Sequence, residues 1–212
     1  ERSTLLGGLE HWWDFDEASG NAIAQAGETD LVLSGTNATT TGPNGETARS
    51  FDGSTTKFDA TLDVFENSAI SVSFWVKLKD KTSGIHALVS SQASPTTFIC
   101  GVLSHDSEIA VFRGGNSQSG VTDSSGIDLT DGNWHAITYT YDGSVYLDGA
   151  LHDTIAPFSP EPGAHPFSVG NAYGSLYGFM DIATVAIHNR SLTPAEVTEF
   201  YNAGTNLRYS EL

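Results

Sequence analysis

The sequence predicts an all-β sandwich of two antiparallel sheets with one short C-terminal helix. Three observations carry that expectation. Residues 69–78 alternate strictly, with Ile70, Val72, Phe74, Val76 and Leu78 on one side and Ser71, Ser73, Trp75 and Lys77 on the other. Period-2 alternation of this length is the pattern of a strand with one buried face. Two Asp-Gly pairs, Asp142-Gly143 and Asp148-Gly149, flank the apolar run Val145-Tyr146-Leu147, a strong hairpin signal. Helix signals gather at a single place, 193–204.

In chain order, an opening strand spans 9–16. Trp12 and Trp13 point to opposite faces there, one to the core and one to an edge or interface. Short strands follow at 30–34, 47–51 and 56–59. The stretch 35–46, poor in apolar residues, reads as a surface loop. After 69–78 come strands at 86–91, 97–103 and 108–113. Segments 114–126 and 157–165, rich in Gly, Ser and Pro, read as loops. In 135–141, Ile137, Tyr139 and Tyr141 alternate with Ala136, Thr138 and Thr140, and the hairpins follow. Strands at 166–169 and 181–188 complete the β content. Thr193 then supplies an N-cap, Pro194 the first helical position, Glu196 the partner three residues on, and Gly204 a stop. Val197, Phe200 and Tyr201 share one helical face, whose first job is to pack on the sandwich.

Composition narrows the function. The chain has 212 residues, 26 acids and 9 bases, for a net charge of −17. Only 17% of residues are charged, below the usual ~25%, so the chain is acidic for want of bases. Such a field excludes nucleic acid and anionic membranes, which need basic patches. It permits cation binding, solubility in salt or a basic partner. Cys100 is the one cysteine; it excludes an internal disulfide and reads as a small buried apolar residue. No apolar run reaches the length of a membrane span. The chain begins at Glu1 without Met or a signal-peptide apolar region, which leaves a processed product and an excised segment equally open. Without repeats or a long linker, 1–212 reads as one domain with its core in 9–204.

Several runs together resemble a known family. Leu9 to Gly20 (LEHWWDFDEASG) resembles the opening strand of laminin G-like, concanavalin A-like jelly-roll domains. Ala48-Arg49-Ser50-Phe51-Asp52-Gly53 resembles the next landmark, and Ile70 to Lys77 the central strand. Asp131-Gly132-Asn133-Trp134-His135, Tyr141-Asp142-Gly143 and Val145 to Gly149 resemble the most distinctive block. Ile182 to Thr193, followed by Glu196, resembles the final strand and helix. The resemblance spans 9–204 in family order. It implies a jelly roll of two sheets with six or seven strands each, a strand order that periodicity does not supply. Many members bind glycans, others bind proteins, and some decorate phage or viral particles.

Glucanases share this fold, and hydrolysis needs two carboxylates about 5–9.5 Å apart. Asp14 and Asp16 share a strand face, but in the strand that is not catalytic in the resembling family. Asp181 is followed on its face by Ala183 and Val185, without a second acid. None of the seven histidines lies in a metal or nucleophile motif; His135 reads as a packing or hydrogen-bonding residue. The sequence therefore points away from an enzyme. The resemblance implies a structural calcium near Asp16, Glu17 and Asp52. Ala183-Thr184 departs from the family's Asp-Glu, which leaves fewer charged ligands. The plainer reading of Asp16 and Asp52 is as turn residues that bond the backbone.

For a sugar ligand the candidates are Tyr173 and Tyr177, in a glycine-flanked loop, with Asn171 as an amide and Trp75 on the face opposite Phe74. Each has a plainer role: Trp75 in the core, the tyrosines packing their loop. Asn37-Ala38-Thr39 and Asn189-Arg190-Ser191 are sequons only in a eukaryotic secretory setting. The expectation is a non-catalytic extracellular recognition module that binds carbohydrate. Its partner is a glycan or a protein of a larger surface assembly, with neither nucleic acid nor membrane insertion. The alternative is a structural decoration or adhesion protein of a phage, virus or other extracellular assembly.

Overall fold

The computed structural model describes residues 3–36, 38–63, 69–79, 85–94, 97–105, 108–112, 118–122, 129–155 and 163–212. For 85, 92–94, 97–105, 108, 110–112 and 118–122 it describes the backbone alone. The strands, in chain order, are β1 (Leu9–Trp13), β2 (Ala24–Ala26), β3 (Val32–Ser34), β4 (Ala38–Thr41), β5 (Thr47–Ser50) and β6 (Lys57–Leu62). Next come β7 (Ser71–Leu78), β8 (Ile85–Ser94), β9 (Thr97–His105), β10 (Glu108–Phe112), β11 (Gln118–Thr122) and β12 (His135–Thr140). The last are β13 (Ser144–Leu147), β14 (Ala150–Thr154), β15 (His165–Val169), β16 (Asn171–Ala172), β17 (Leu176–Tyr177) and β18 (Met180–His188), followed by helix α1 (Pro194–Tyr201).

One sheet runs β14-β13-β12-β7-β18-β1-β2, with β5 on the end of β18 and β4 on β5. The other runs β11-β10-β9-β8-β15-β6-β3, and the strand pairs of both are antiparallel. The sandwich core lies between them. Val72, Phe74 and Val76 of β7 meet Phe58, Phe167 and Val169 of the second sheet in one buried cluster. The alternation at 69–78 thus chooses this face, and the Asp-Gly turns set the register of β12, β13 and β14. At the second turn Asp148 and Gly149 both have positive φ, 51° and 79°, the demand of a type I′ hairpin.

The central strands of the first sheet, β7, β12 and β18, are buried on both faces. On its outer side Trp12, Trp75, Ala183 and Ala186 form a second cluster with Leu192, Val197 and Phe200. Helix α1 covers that side, and its capping box at Thr193 and Glu196 forms as the sequence predicts. Both tryptophans of the opening strand are fully buried; Trp13 enters the central core and Trp12 packs beneath the helix. This corrects the expectation of an edge or interface residue, because the helix turns the outer face of β1 into interior. All nine residues of β18 are buried for the same reason. A register shift lies between Ile182 and Thr184. It lets Ile182 and Val185 share the central core while Ala183 packs under the helix, so Val185 does not share the face of Ala183 as plain alternation predicts.

Two predicted loops contain strands, and a third ends one residue early. The 35–46 segment holds β4, whose Ala38–Thr41 pairs with β5; the 114–126 segment holds β11; and β15 begins at His165. The rest of those last two segments that bears on the loop expectation, 114–117, 123–126 and 157–162, lies outside the described residues, as do Asn37 and the side chain of Cys100.

Candidate functional site

Helix α1 lies on the first sheet, with a cavity of about 530 Å³ beside it; a second and larger one lies on the outer face of β3, β6 and β15. Alternation builds it. Phe58 and Leu62 of β6 and Phe167 and Val169 of β15 point inward, so Lys57, Asp59, Thr61, Pro166 and Ser168 point out. These residues line a shallow cavity of about 610 Å³, together with Val32, Ala60, Asn171 and Gly174. Register aligns Val32, Asp59, Ser168 and Ser90 in one row across β3, β6, β15 and β8. The floor is therefore made of short side chains, and short side chains leave depth.

The wall is the β16–β17 hairpin, which lies over β8. Ser90 Oγ donates to the Asn171 carbonyl oxygen at 2.7 Å. Asn171 is buried, and its side-chain amide donates to the Leu176 carbonyl oxygen at 3.1 Å across the hairpin. Tyr173 and Gly174 turn the chain with φ of 53° and 67°. A left-handed tyrosine costs of order 1–2 kcal/mol; such outliers persist where the surroundings hold them, often at binding sites. The hairpin enters through Gly170, φ 82°, where a Cβ would stand 2.4 Å from the Phe51 ring. Only glycine fits there.

The cavity's polar groups are ordered. Lys57 Nζ lies 2.7 Å from Asp59 Oδ2. Ser168 Oγ donates to Asp59 Oδ1 at 2.6 Å. Hydroxyl, amide and ion-pair groups beside Val32 and Pro166 give the mixture of apolar surface and fixed polar partners that a sugar needs.

The predicted ligand residues divide. Asn171 lines the cavity and Tyr173 adjoins it through Gly174. Tyr173 and Tyr177 are half-buried on the hairpin, and burial pushes the Tyr173 hydroxyl pKa up. Trp75 is corrected: it is 1% exposed and stacks on Tyr201 of α1, ring centres 5.7 Å apart. The helix takes the face that the tryptophan was expected to offer a ligand.

The three predicted metal ligands do not gather. Arg208, from the C-terminal segment, donates to Asp16 and lies 3.8 Å from Asp14. Glu17 Oε1 accepts from the Ile23 amide at 2.6 Å, and its other oxygen is 3.7 Å from Arg49. Asp52 Oδ1 accepts from the amides of Ser54, Thr55 and Thr56 at 2.8–2.9 Å, and Thr55 Oγ1 donates to Oδ2 at 2.5 Å. Slight burial opposes ionisation of Asp52, but these four bonds outweigh it and hold the pKa far below the usual range. A guanidinium where an ion would sit, and a carboxylate already saturated by its own turn, do not fit calcium. Among the described residues no cluster of three or more His, Cys, Asp or Glu suits a metal.

The acids weighed for hydrolysis are likewise occupied. Asp14 is 3% exposed and accepts from Trp12 Nε1 at 2.6 Å and the Tyr209 amide at 3.3 Å. Burial pushes its pKa up against those bonds. Asp181 is held by Lys79 at 2.8 Å and Lys77 at 3.9 Å. His135 makes hydrogen bonds as expected, through Nδ1 to Asp148 at 2.9 Å and Nε2 to Asp131 at 3.2 Å.

Sequence reasoning missed Lys57, Asp59, Thr61, Pro166 and Ser168. Their alternation with apolar neighbours was visible, but a polar strand face looks the same in sequence whether it is plain solvent surface or a site. The missing information is which sheet the helix covers.

The comparisons agree with this architecture. A laminin G-like family model, described as the concanavalin A-like lectin/glucanases superfamily, matches residues 52–198. That is more than half of the chain, and the protein belongs to this superfamily. No curated protein matches it. Among solved structures, domain 4 of AbnA, a GH43 extracellular arabinanase from Geobacillus stearothermophilus in complex with arabinotriose, is similar at TM-score 0.69 and 20% identity. That match covers 91% of this chain and 98% of the other. Trypanosoma rangeli sialidase in complex with sialic acid aligns at TM-score 0.69 and 16% identity over 92% of this chain. The chain spans only about a third of the length of such sialidases (32% in this case). The receptor binding domain of botulinum neurotoxin C/D mosaic serotype aligns at 0.69 and 12%, covering 92% of this chain and 51% of the other. At these identities the structures bear out the fold.

Proposed function

We propose that this chain is a non-catalytic carbohydrate-recognition module that works outside the cell and binds its glycan across the open face of the second sheet. The observation that carries the reading is the asymmetry of the sandwich. Helix α1 covers the central strands of the first sheet, whereas the second presents the cavity of about 610 Å³, larger than the one of about 530 Å³ beside the helix and walled by a hairpin in a strained turn. The full-length similarity to a domain in complex with arabinotriose supports a sugar ligand, and the description of that arabinanase as extracellular supports the location. Support for a non-catalytic role comes from Asp14 and Asp16, which face Arg208, and from Asp181, which is engaged by two lysines.

Calorimetry with arabinotriose, xylotetraose and cellotetraose tests the reading, using the wild type and Thr61→Trp. Thr61 is exposed on the rim, so the tryptophan fills the cavity without disturbing the core. The expected result is binding by the wild type and at least a tenfold weaker affinity for the variant at unchanged Tm. Equal affinity of the two proteins would remove the ligand from this face.

A further inference from the structure

The charges at this cavity and over the described surface define the class of sugar, an inference that rests on the proposed binding face. Lys57 is the one cation lining the cavity, and Asp59 the one anion. They neutralise each other at 2.7 Å, and Ser168 takes the remaining carboxylate oxygen at 2.6 Å. A sialate, uronate or sulfate needs a cation whose charge is not already cancelled, best a forked guanidinium; Lys57 keeps spare N–H donors but no net charge to offer. Elsewhere the described bases are similarly engaged. Arg49 is beside Glu17, Lys77 and Lys79 beside Asp181, Arg190 on Glu196, and Arg208 on Asp14 and Asp16. The net charge of −17 adds a repulsive field for any anion that approaches. A cationic amino sugar would gain from that field, but at the cavity the Asp59 charge is cancelled by Lys57, whose ammonium repels a second cation. What remains available is the Thr61 hydroxyl, the spare donors and lone pairs of the Lys57–Asp59–Ser168 group, and the apolar sides of Val32 and Pro166.

We infer that the module recognises an uncharged oligosaccharide and discriminates against sialylated, uronate-containing and amino sugars. Neutral sugars bring hydroxyls, which the Lys57–Asp59 pair and Thr61 bond without any ion pair being broken. The self-neutralised pair then works as a fixed dipole, not as a charge receptor.

The experiment measures Kd by calorimetry at 20 mM and 300 mM NaCl. The probes are arabinotriose, xylotetraose and cellotetraose, then trigalacturonate and 3′-sialyllactose, then the glucosamine trimer. The expected result is binding of at least one neutral probe, with a Kd that changes less than about twofold between the two salts. Acidic and amino probes should bind at least tenfold more weakly than that neutral probe. Asp59→Asn unmasks Lys57, and should improve trigalacturonate or sialyllactose at least fivefold relative to the neutral probe. Tight, salt-sensitive binding of an acidic or amino probe by the wild type would overturn the inference and leave the binding face standing. Failure of Asp59→Asn to admit the acid would overturn the role given to the ion pair. Silence with every probe would overturn the binding face and this inference together.

Discussion

Glu196 links three parts of the fold, and the cost of removing its charge follows from the geometry. It occupies the third position of α1 and is 9% exposed. Arg190 donates to it from both terminal nitrogens, at 2.6 Å and 2.8 Å. Thr193 donates from its amide at 2.8 Å and its hydroxyl at 2.9 Å. Arg190 also reaches the carbonyls of Gly7 and Thr4, so one carboxylate ties the end of β18, the start of α1 and the N-terminal turn. The Arg190 hydrogen bonds, above all, pull the Glu196 pKa from the ordinary 4.5 to about 2. A folded-state pKa below the unfolded one stabilises the fold above pH ~4.5, and the stabilisation is lost as pH falls toward 2. That gap corresponds to about 3 kcal/mol. Arg190 is 31% exposed in its side chain, and water screening there reduces the figure to about 2 kcal/mol. Glu196→Gln keeps the shape and removes the charge. It should cost about 2 kcal/mol at pH 7, or about 4–8 °C in Tm for a chain of this size. Urea titrations of both proteins at pH 7 and pH 3 measure it. The difference should fall by more than half at pH 3, where the unfolded chain has taken up the proton that the folded carboxylate still resists. A difference under about 0.5 kcal/mol at pH 7, or one unchanged at pH 3, would refute the reasoning.

Three further outcomes are expected. Burial opposes the charge on His135, but Asp148 and Asp131 outweigh it and raise its pKa. Its stabilisation is therefore complete below pH ~6.5 and lost as pH rises through the folded value; the Tm difference between wild type and His135→Gln should shrink from pH 6 to pH 8.5, and parallel curves would count against the pairing. Phe200→Ala empties a fully buried site under the helix, and should cost about 3–5 kcal/mol while the glycan Kd, measured well below the variant's Tm, stays within twofold. EDTA should leave the Tm unchanged, since Asp16 and Asp52 already have protein partners; a fall of several degrees, reversed by calcium, would show a metal that stabilises the fold.

Local pattern revealed much of this fold. The face of β7, the Asp-Gly hairpins and the capping box were all legible because each depends on residues close in sequence. The strand at Ala38–Thr41 was not, since its Thr-rich run earns its place only by pairing with β5. The fates of Trp12 and Trp75 depend on the helix that returns over β1 and β7 from far along the chain. Asp16 illustrates the same limit, because its partner Arg208 lies 192 residues away. Of the candidate site, Asn171 was readable as an amide in a glycine-flanked turn. The β6 and β15 residues were not, because openness to solvent belongs to the whole sandwich and to no single strand.

The most direct measurement is amide NMR mapping of the folded chain during titration with the neutral probe that binds most tightly. Shifts should concentrate on Asp59, Thr61, Ser168, Asn171 and Gly174, with α1 and the outer side of the first sheet unmoved. Shifts confined to α1 and its surroundings, or a spectrum unchanged at saturating sugar, would contradict recognition on the open sheet.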